Sequence, residues 1–159
     1  MDITIKKFEE LSNKELYNIL KARFEVFVLE QNCTEEDCDD KDYESYHLQY
    51  IENGELVAYL RIPTKGVSYE ETSIGRVLVR SKYRKKGIAR DMMKIAISFI
   101  ENTLGEKAIK ISAQEYLVDF YSSLGFEKVS DIYDEGGIPH VKIISWKIIY
   151  INKFDRSVK

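Results

Sequence analysis

Ile74-Gly-Arg-Val-Leu-Val-Arg-Ser-Lys-Tyr-Arg-Lys-Lys-Gly-Ile-Ala-Arg90 is the stretch on which the reading of this chain turns. Its β-branched first half predicts a strand, its second half a basic turn carrying one glycine, and residue 88 opens an amphipathic helix. A strand that delivers the chain to a helix N-terminus makes an anion site. The first backbone N–H groups of the helix have no intrahelical partners, and the helix dipole favours negative charge there. Arg84, Lys85, Lys86 and Arg90 add charge, and Gly87 removes the Cβ that would hold a phosphate off the backbone. The expected cargo is a polyphosphate.

Working outward, the strand of this unit runs from about Thr72 to Arg80 and its helix from Ile88 to about Thr103, with Met92, Ile95, Ala96, Phe99 and Ile100 on one face. Upstream, Ile3, Ile5 and Phe8 predict a short strand. Ser12 with Glu15 forms a capping box, Leu11 can staple onto Leu16, and the apolar spacing carries a helix to about Leu29. Glu30 to Glu44 is an acidic loop with a single lysine, Lys41. It is either a solvated connection or a rim that favours a cationic substrate. Tyr46 to Tyr50 and Leu56 to Arg61 predict a hairpin closed by Asn53-Gly54. Downstream come a short strand at Ala108 to Ile111 and a helix at about Glu115 to Ser123, ended by Gly125. Two strands, Phe126 to Tyr133 and Val141 to Ile149, flank the turn Asp134 to Pro139. No linker interrupts this order, so one α+β domain over residues 1–159 with a mostly antiparallel sheet is expected.

The 159 residues suffice for a domain that buries roughly 70% of its unfolded surface. A formal net charge of −3 provides no global field for nucleic acid, so the basic cluster at 82–90 is a local feature. No apolar run reaches the ~18 residues of a membrane span, and the N-terminus lacks a signal-peptide core. A cytoplasmic protein with Cys33 and Cys38 as reduced thiols is expected, with no nucleic-acid or membrane partner. The two cysteines with His47 and the nearby aspartates lack the spacing of a zinc site, and no metal is expected.

Among glycine-rich phosphate motifs, Gly-x4-Gly-Lys-Ser/Thr is absent, Gly-x-Gly-x-x-Gly is absent, and the protein-kinase set is absent. The segment does match Arg/Gln-x-x-Gly-x-Gly/Ala through Arg84, Gly87 and Ala89, after a Val-x-Val strand at Val77 and Val79. Here the chain resembles the GNAT family of acetyl-CoA-dependent N-acetyltransferases. Phe120-Tyr121-Ser-Ser-Leu-Gly-Phe126 and the order of elements add to the resemblance. Arg23-Phe-Glu-Val-Phe-Val-Leu-Glu-Gln31, Ile74-Gly-Arg76, Ser112-Ala-Gln114 and Gly136-Gly-Ile-Pro-His140 are similar to its ElaA-like branch.

The resemblance implies a GNAT-like fold, a twisted and mostly antiparallel sheet flanked by helices, and acetyl transfer to a small-molecule or peptide amine, in some members as a homodimer. It implies that the backbone of Val77, Leu78 and Val79 holds the pantetheine arm of acetyl-CoA, with Leu78 N–H on the thioester carbonyl. Arg84, Lys85, Lys86, Gly87, Ile88, Ala89 and Arg90 would wrap the pyrophosphate. It implies Tyr121 as the general acid that protonates the departing thiolate. A primary ammonium must also lose a proton before it can attack. His140, behind a Gly-Ile-Pro turn, is the preferred base among His140, His47, Glu30 and Glu115. Gln114 can contact the pantetheine, bond the acceptor or satisfy strand backbone. The alternative function is a CoA-binding sensor or scaffold without turnover.

Overall fold

The strand expected from Thr72 to Arg80 is two strands belonging to two sheets. In the computed structural model, which describes residues 1–146, β4 (Thr72–Ser73) lies parallel to β6 (Ala108–Gln114), whereas β5 (Gly75–Val79) lies antiparallel to β3 (Glu55–Pro63). The chain changes sheets at Ile74. Arg76 takes a positive φ of 53°, and the β3–β5 register shifts between Tyr59 and Arg61. This bulge is what a run of β-branched residues conceals, because alternation alone carries no sign of an extra residue. Beyond Ser73, β5 and β6 share no ladder, and the sheet is open between them.

Around this break the first sheet runs β1 (Asp2–Lys7), β2 (Ser45–Glu52), β3 and β5. The second runs β4, β6, β9 (Ile138–Trp146) and β7 (Glu127–Lys128), with β8 (Tyr133–Glu135) also on β9. All pairings except β4–β6 are antiparallel. Asn53 and Gly54 close the β2–β3 hairpin with φ of 51° and 75°, as a type I′ turn requires. The single strand expected at Phe126 to Tyr133 is split. Ser130 leaves the ladder and its Oγ accepts from Lys142 N at 2.8 Å, so β7 and β8 pair with separate parts of β9. The final strand begins earlier than expected, at Ile138, and the end expected at Ile149 lies outside the described residues.

Helices cover both faces of the first sheet. On one face α1 (Asn13–Arg23) supplies Ile19 and Ala22, which pack with Val26, Tyr59 and Leu78. On the other face α2 (Ile88–Asn102) packs Met92, Met93, Ala96 and Ile100 into the main core with residues of both sheets. The capping box at Ser12 forms as expected, with Glu15 N donating to Ser12 Oγ and Ser12 N to Glu15 Oε2. The expected continuation to Leu29 is present, but residues Phe24–Glu30 are a π-helix, seen in Gln31 N donating to Val26 O five residues back. The consecutive apolar Phe27, Val28 and Leu29 suit either winding, so the pattern could not separate them. The second expected short helix is a 3₁₀ turn at Glu115–Leu117 followed by α3 (Val118–Ser122).

The acidic loop divides: Glu30, Glu35, Glu36, Asp40 and Glu44 are exposed, whereas Asp37, Asp39 and Asp42 are held by arginines of the fold. Arg23, fully buried, donates to Asp37 Oδ2 at 2.9 Å and to Asp42 Oδ1 at 2.7 Å. Arg61 holds Asp39 at 2.6 Å and Asp42 at 3.0 Å, and Arg76 reaches Asp37 at 3.0 Å. Three arginines from α1, β3 and β5 thereby pin three loop aspartates to the fold. Burial alone would raise Asp39, but the hydrogen bonds and charge of Arg61 outweigh it and hold the carboxyl at about 2. Asp42 is lowered by the same balance, with burial opposed by Arg23 and Arg61.

His47 sits beneath this network, fully buried. Its Nε2 is 2.9 Å from the Asp42 carbonyl, an acceptor only, so Nε2 carries the proton and Nδ1 accepts from Tyr59 OH at 2.7 Å. Burial lowers its pKa, and the charges of Arg23 and Arg61 add to that. The unfolded chain therefore binds the extra proton first, so stability rises with pH in this window. The contribution is complete above the unfolded value of ~6.5 and falls as pH drops towards the folded value. Thermal unfolding of the wild type should show this loss as pH falls below ~6.5, and His47→Gln should show a shallower slope there.

Candidate active site

A continuous cavity of about 1060 Å³ follows the opening between β5 and β6, from the N-terminus of α2 to the β8–β9 turn. Its volume exceeds that of most small-ligand sites and leaves room for an extended ligand with a second molecule at its end. Almost every residue expected at the site lines it: Val77, Leu78, Val79, Arg84, Lys85, Gly87, Ile88, Ala89, Arg90, Gln114, Tyr121 and His140. Lys86 does not, because its ammonium turns back over the Tyr83 ring at 5.5 Å. Among the alternative bases, Glu30 lines the cavity, but Glu115 and His47 do not.

The edge of β5 offers backbone to a ligand. Arg80 N donates to Val57 O at 3.0 Å, and Leu78 stands opposite Tyr59 in the ladder. Peptide groups alternate in direction along a strand, so Leu78 N–H faces β3 and not the cavity. Val79, one residue along, faces the opening, where its carbonyl accepts from Arg84 Nε at 2.8 Å. Val77 shares that orientation. The geometry thus turns the N–H groups of Val77 and Val79, and not that of Leu78, towards the opening. The Leu78 side chain packs under α1 instead.

The turn into α2 uses two left-handed residues, Lys85 (φ 64°) and Gly87 (φ 80°). Gly87 is the residue before the first helical turn, and no side chain caps the N–H groups that follow it. A Cβ built on Gly87 meets nothing within 4 Å, so the protein itself leaves the space that a phosphate would need. The basic residues divide in function. Arg80 is held by Glu25 and Glu55, Lys82 by Glu55, and Arg84 by Glu30 at 2.7 Å. Lys85 and Arg90 have no acidic partner among the described residues. Arg90 lies over the Phe120 ring and donates to Ser123 Oγ.

Tyr121 is 5% exposed and packs edge-on to Phe120 and Phe126, with no hydrogen bond to its hydroxyl among the described residues. Burial pushes its phenol up to about 12, helped by Tyr116, so it stays protonated throughout the neutral range. Gln114 donates its amide to Gln31 Oε1 at 3.0 Å, joining the end of β6 to the end of the π-helix. His140 lies on the cavity wall at the opposite end, beside Glu135, a residue that sequence reasoning passed over as part of a turn.

That turn also supports the acidic loop. Gly136 N donates to Glu35 Oε1, and a Cβ on Gly136 would lie 2.6 Å from Cys33 Sγ and 2.9 Å from Glu35 Cγ. Gly136 also has a φ of 62°. Gly136→Ala should lower unfolding free energy by about 1–3 kcal/mol, read from chemical denaturation.

Comparison with known proteins agrees with this geometry. The family described as Acetyltransferase (GNAT) domain matches residues 8–144. The chain is 37% identical over 134 residues to Protein ElaA of Escherichia coli, covering 83% of this chain and 88% of that one. It is 39% identical over 143 residues to a UPF0039 protein of Synechocystis, covering 87% and 91% respectively. Among solved structures, an acyl-CoA N-acyltransferase from Pseudomonas aeruginosa superposes with a TM-score of 0.85 at 34% identity, over 91% of this chain and 99% of that one. Escherichia coli ElaA superposes with a TM-score of 0.84 at 34% identity, over 91% and 98%. An open β5 edge leading into an uncapped helix N-terminus, on a fold shared with these proteins, places the chain in the GNAT family of N-acyltransferases, in its ElaA-like branch.

Proposed function

We propose that this protein, as one domain over residues 1–159, transfers the acetyl group of acetyl-CoA to a primary amine by direct attack in a ternary complex. The observation that carries the reading is the continuity of one cavity from the N-terminus of α2, past the edge of β5 and Tyr121, to His140. Pyrophosphate would bind the free N–H groups of residues 88–90, within reach of Lys85 and Arg90. Pantetheine would add to β5 like a strand, bonding the outward peptide groups of Val77 and Val79. Gln114 would border the arm near its reactive end. The thioester carbonyl would accept from one of these two N–H groups, which polarises it for attack.

The reaction is RNH₃⁺ + acetyl-S-CoA → RNH-acetyl + HS-CoA + H⁺. One ammonium proton must leave before attack, and His140 is its proposed acceptor. The amine nitrogen then bonds to the carbonyl carbon, the C–S bond breaks with its electron pair on sulfur, Tyr121 donates towards that sulfur, and the second N–H proton, shed as the amide forms, restores the phenol through solvent. No metal enters these steps. The acceptor is a small molecule or peptide carrying a free amine. The loop carboxylates Asp37, Asp39 and Asp42 are already paired to arginine, so any preference for a cationic amine would come from Glu35 and Glu36, which are exposed and line the cavity.

Thiol release from acetyl-CoA, screened against small amines, lysine peptides and peptides with free N-termini, tests the reading. Release that depends on an amine supports it. CoA binding without release to any amine would establish a sensor or scaffold instead.

A further inference from the structure

His140 does not offer its free nitrogen to the cavity. Its Nδ1 lies 2.7 Å from the Ile138 carbonyl, which requires Nδ1–H, and its Nε2 lies 3.2 Å from Glu135 Oε2. The imidazole side chain is 10% exposed, whereas that of Glu135 is 47% exposed, and both line the cavity. An amine arriving from the cavity therefore meets the carboxylate before the ring.

The carboxylate is held in position from behind. Ser112 Oγ donates to Glu135 Oε2 at 3.0 Å, and because that uses its one proton, Tyr133 OH must donate to Ser112 Oγ. The Tyr133 ring stacks on His140, and Lys142 lies over the rings of both Tyr133 and Tyr69. Oε2 accepts from Ser112 and lies against the unprotonated Nε2, and Oε1 has no hydrogen bond among the described residues. Burial raises the Tyr133 phenol and pushes Tyr69 up to about 12, so neither competes as a base near neutrality. The pair is thus faced by Ser112 and Lys110 from β6, Tyr133 from β8, Lys142 from β9, Tyr69 from the preceding loop, and Glu35 across the Gly136 turn.

We propose that Glu135 is the residue that takes the proton from the bound ammonium group and passes it to His140, with Ser112 and Tyr133 as positioning residues. This rests on the acetyl-transfer reading above. An N–H bond of the ammonium breaks, and its proton moves to the carboxylate. The carboxyl group then yields it to Nε2, which returns Glu135 to its anionic form and leaves an ion pair. The free amine attacks the thioester, and the imidazolium releases its proton to solvent between turnovers.

Two probe nucleophiles separate this role from a structural one. A simple alkylamine is protonated at neutral pH and needs a base, whereas methoxyamine is already neutral. Thiol release from acetyl-CoA should fall about 100-fold in Glu135→Gln with the alkylamine, the scale of a lost proton-transfer group. It should stay within a few-fold of wild type with methoxyamine, at unchanged CoA affinity by calorimetry. Equal losses for both nucleophiles, or no loss for either, would overturn the assignment while leaving acetyl transfer intact. A wild-type protein that binds CoA but releases thiol with neither would overturn the parent reading as well. Ser112→Ala should show the same selectivity for the alkylamine at smaller amplitude, and an equal loss with methoxyamine would remove Ser112 from the relay.

Discussion

Tyr121→Phe should lower kcat for acetyl transfer about 100-fold or more with little change in CoA affinity, measured by steady-state thiol release and by calorimetry. The substitution removes one oxygen from a ring that is already packed against Phe120 and Phe126, so the fold and the binding edge of β5 are unchanged. The expected pH behaviour is specific. A phenol held at about 12 keeps its proton across the assay range, so this group contributes no alkaline loss of activity below about pH 11. It is also a weaker acid than a thiol of ~8.5, by roughly three pK units. Its action is therefore to donate a hydrogen bond to charge developing on sulfur, with complete transfer only as the thiolate departs. A phenylalanine variant that turns over at the wild-type rate would remove Tyr121 from the mechanism.

Asp42→Ala should have the largest effect on stability of any single change to a polar residue described above. It leaves Arg23 and Arg61, whose side chains are 1% and 4% exposed, without the carboxylate that both share. Breaking a buried ion pair from one side costs about 3–5 kcal/mol, because the remaining charge stays out of water. For a domain of this length the corresponding drop in Tm is roughly 6–20 °C. Exposed pairs provide the contrast. Lys82→Ala, which breaks the exposed Lys82–Glu55 contact, should leave thermal stability essentially unchanged. A result near zero for Asp42→Ala would mean that Asp37 and Asp39 can hold both arginines alone.

The elements that carry the proposed donor half of the site were legible in the chain. A Val-x-Val strand, a basic turn with Gly87 and an amphipathic helix are local patterns, each set by neighbours in sequence, and the structure assembles them in the expected order. The same holds for the Ser12 capping box and the Asn53-Gly54 turn, whose geometry depends on a few adjacent residues. Tyr121 was found through its position in a short motif, and its burial could not have been. The acidic loop shows where such reading stops. Its charges looked solvated or available to substrate because the balancing arginines lie on a helix and two strands far away in sequence.

Glu135 was invisible for a related reason, since a carboxylate in a turn acquires a role only when β6 and β9 bring Ser112 and His140 to it. By itself the sequence determined the helices, the hairpin and the turn into α2 through local periodicity and short-range backbone chemistry, and it pointed to the family through short motifs. Tertiary structure decided the break between β4 and β5, which peptide groups face the ligand, and which acids are neutralised. Those depend on strand register and on charges that meet only when distant segments pack together.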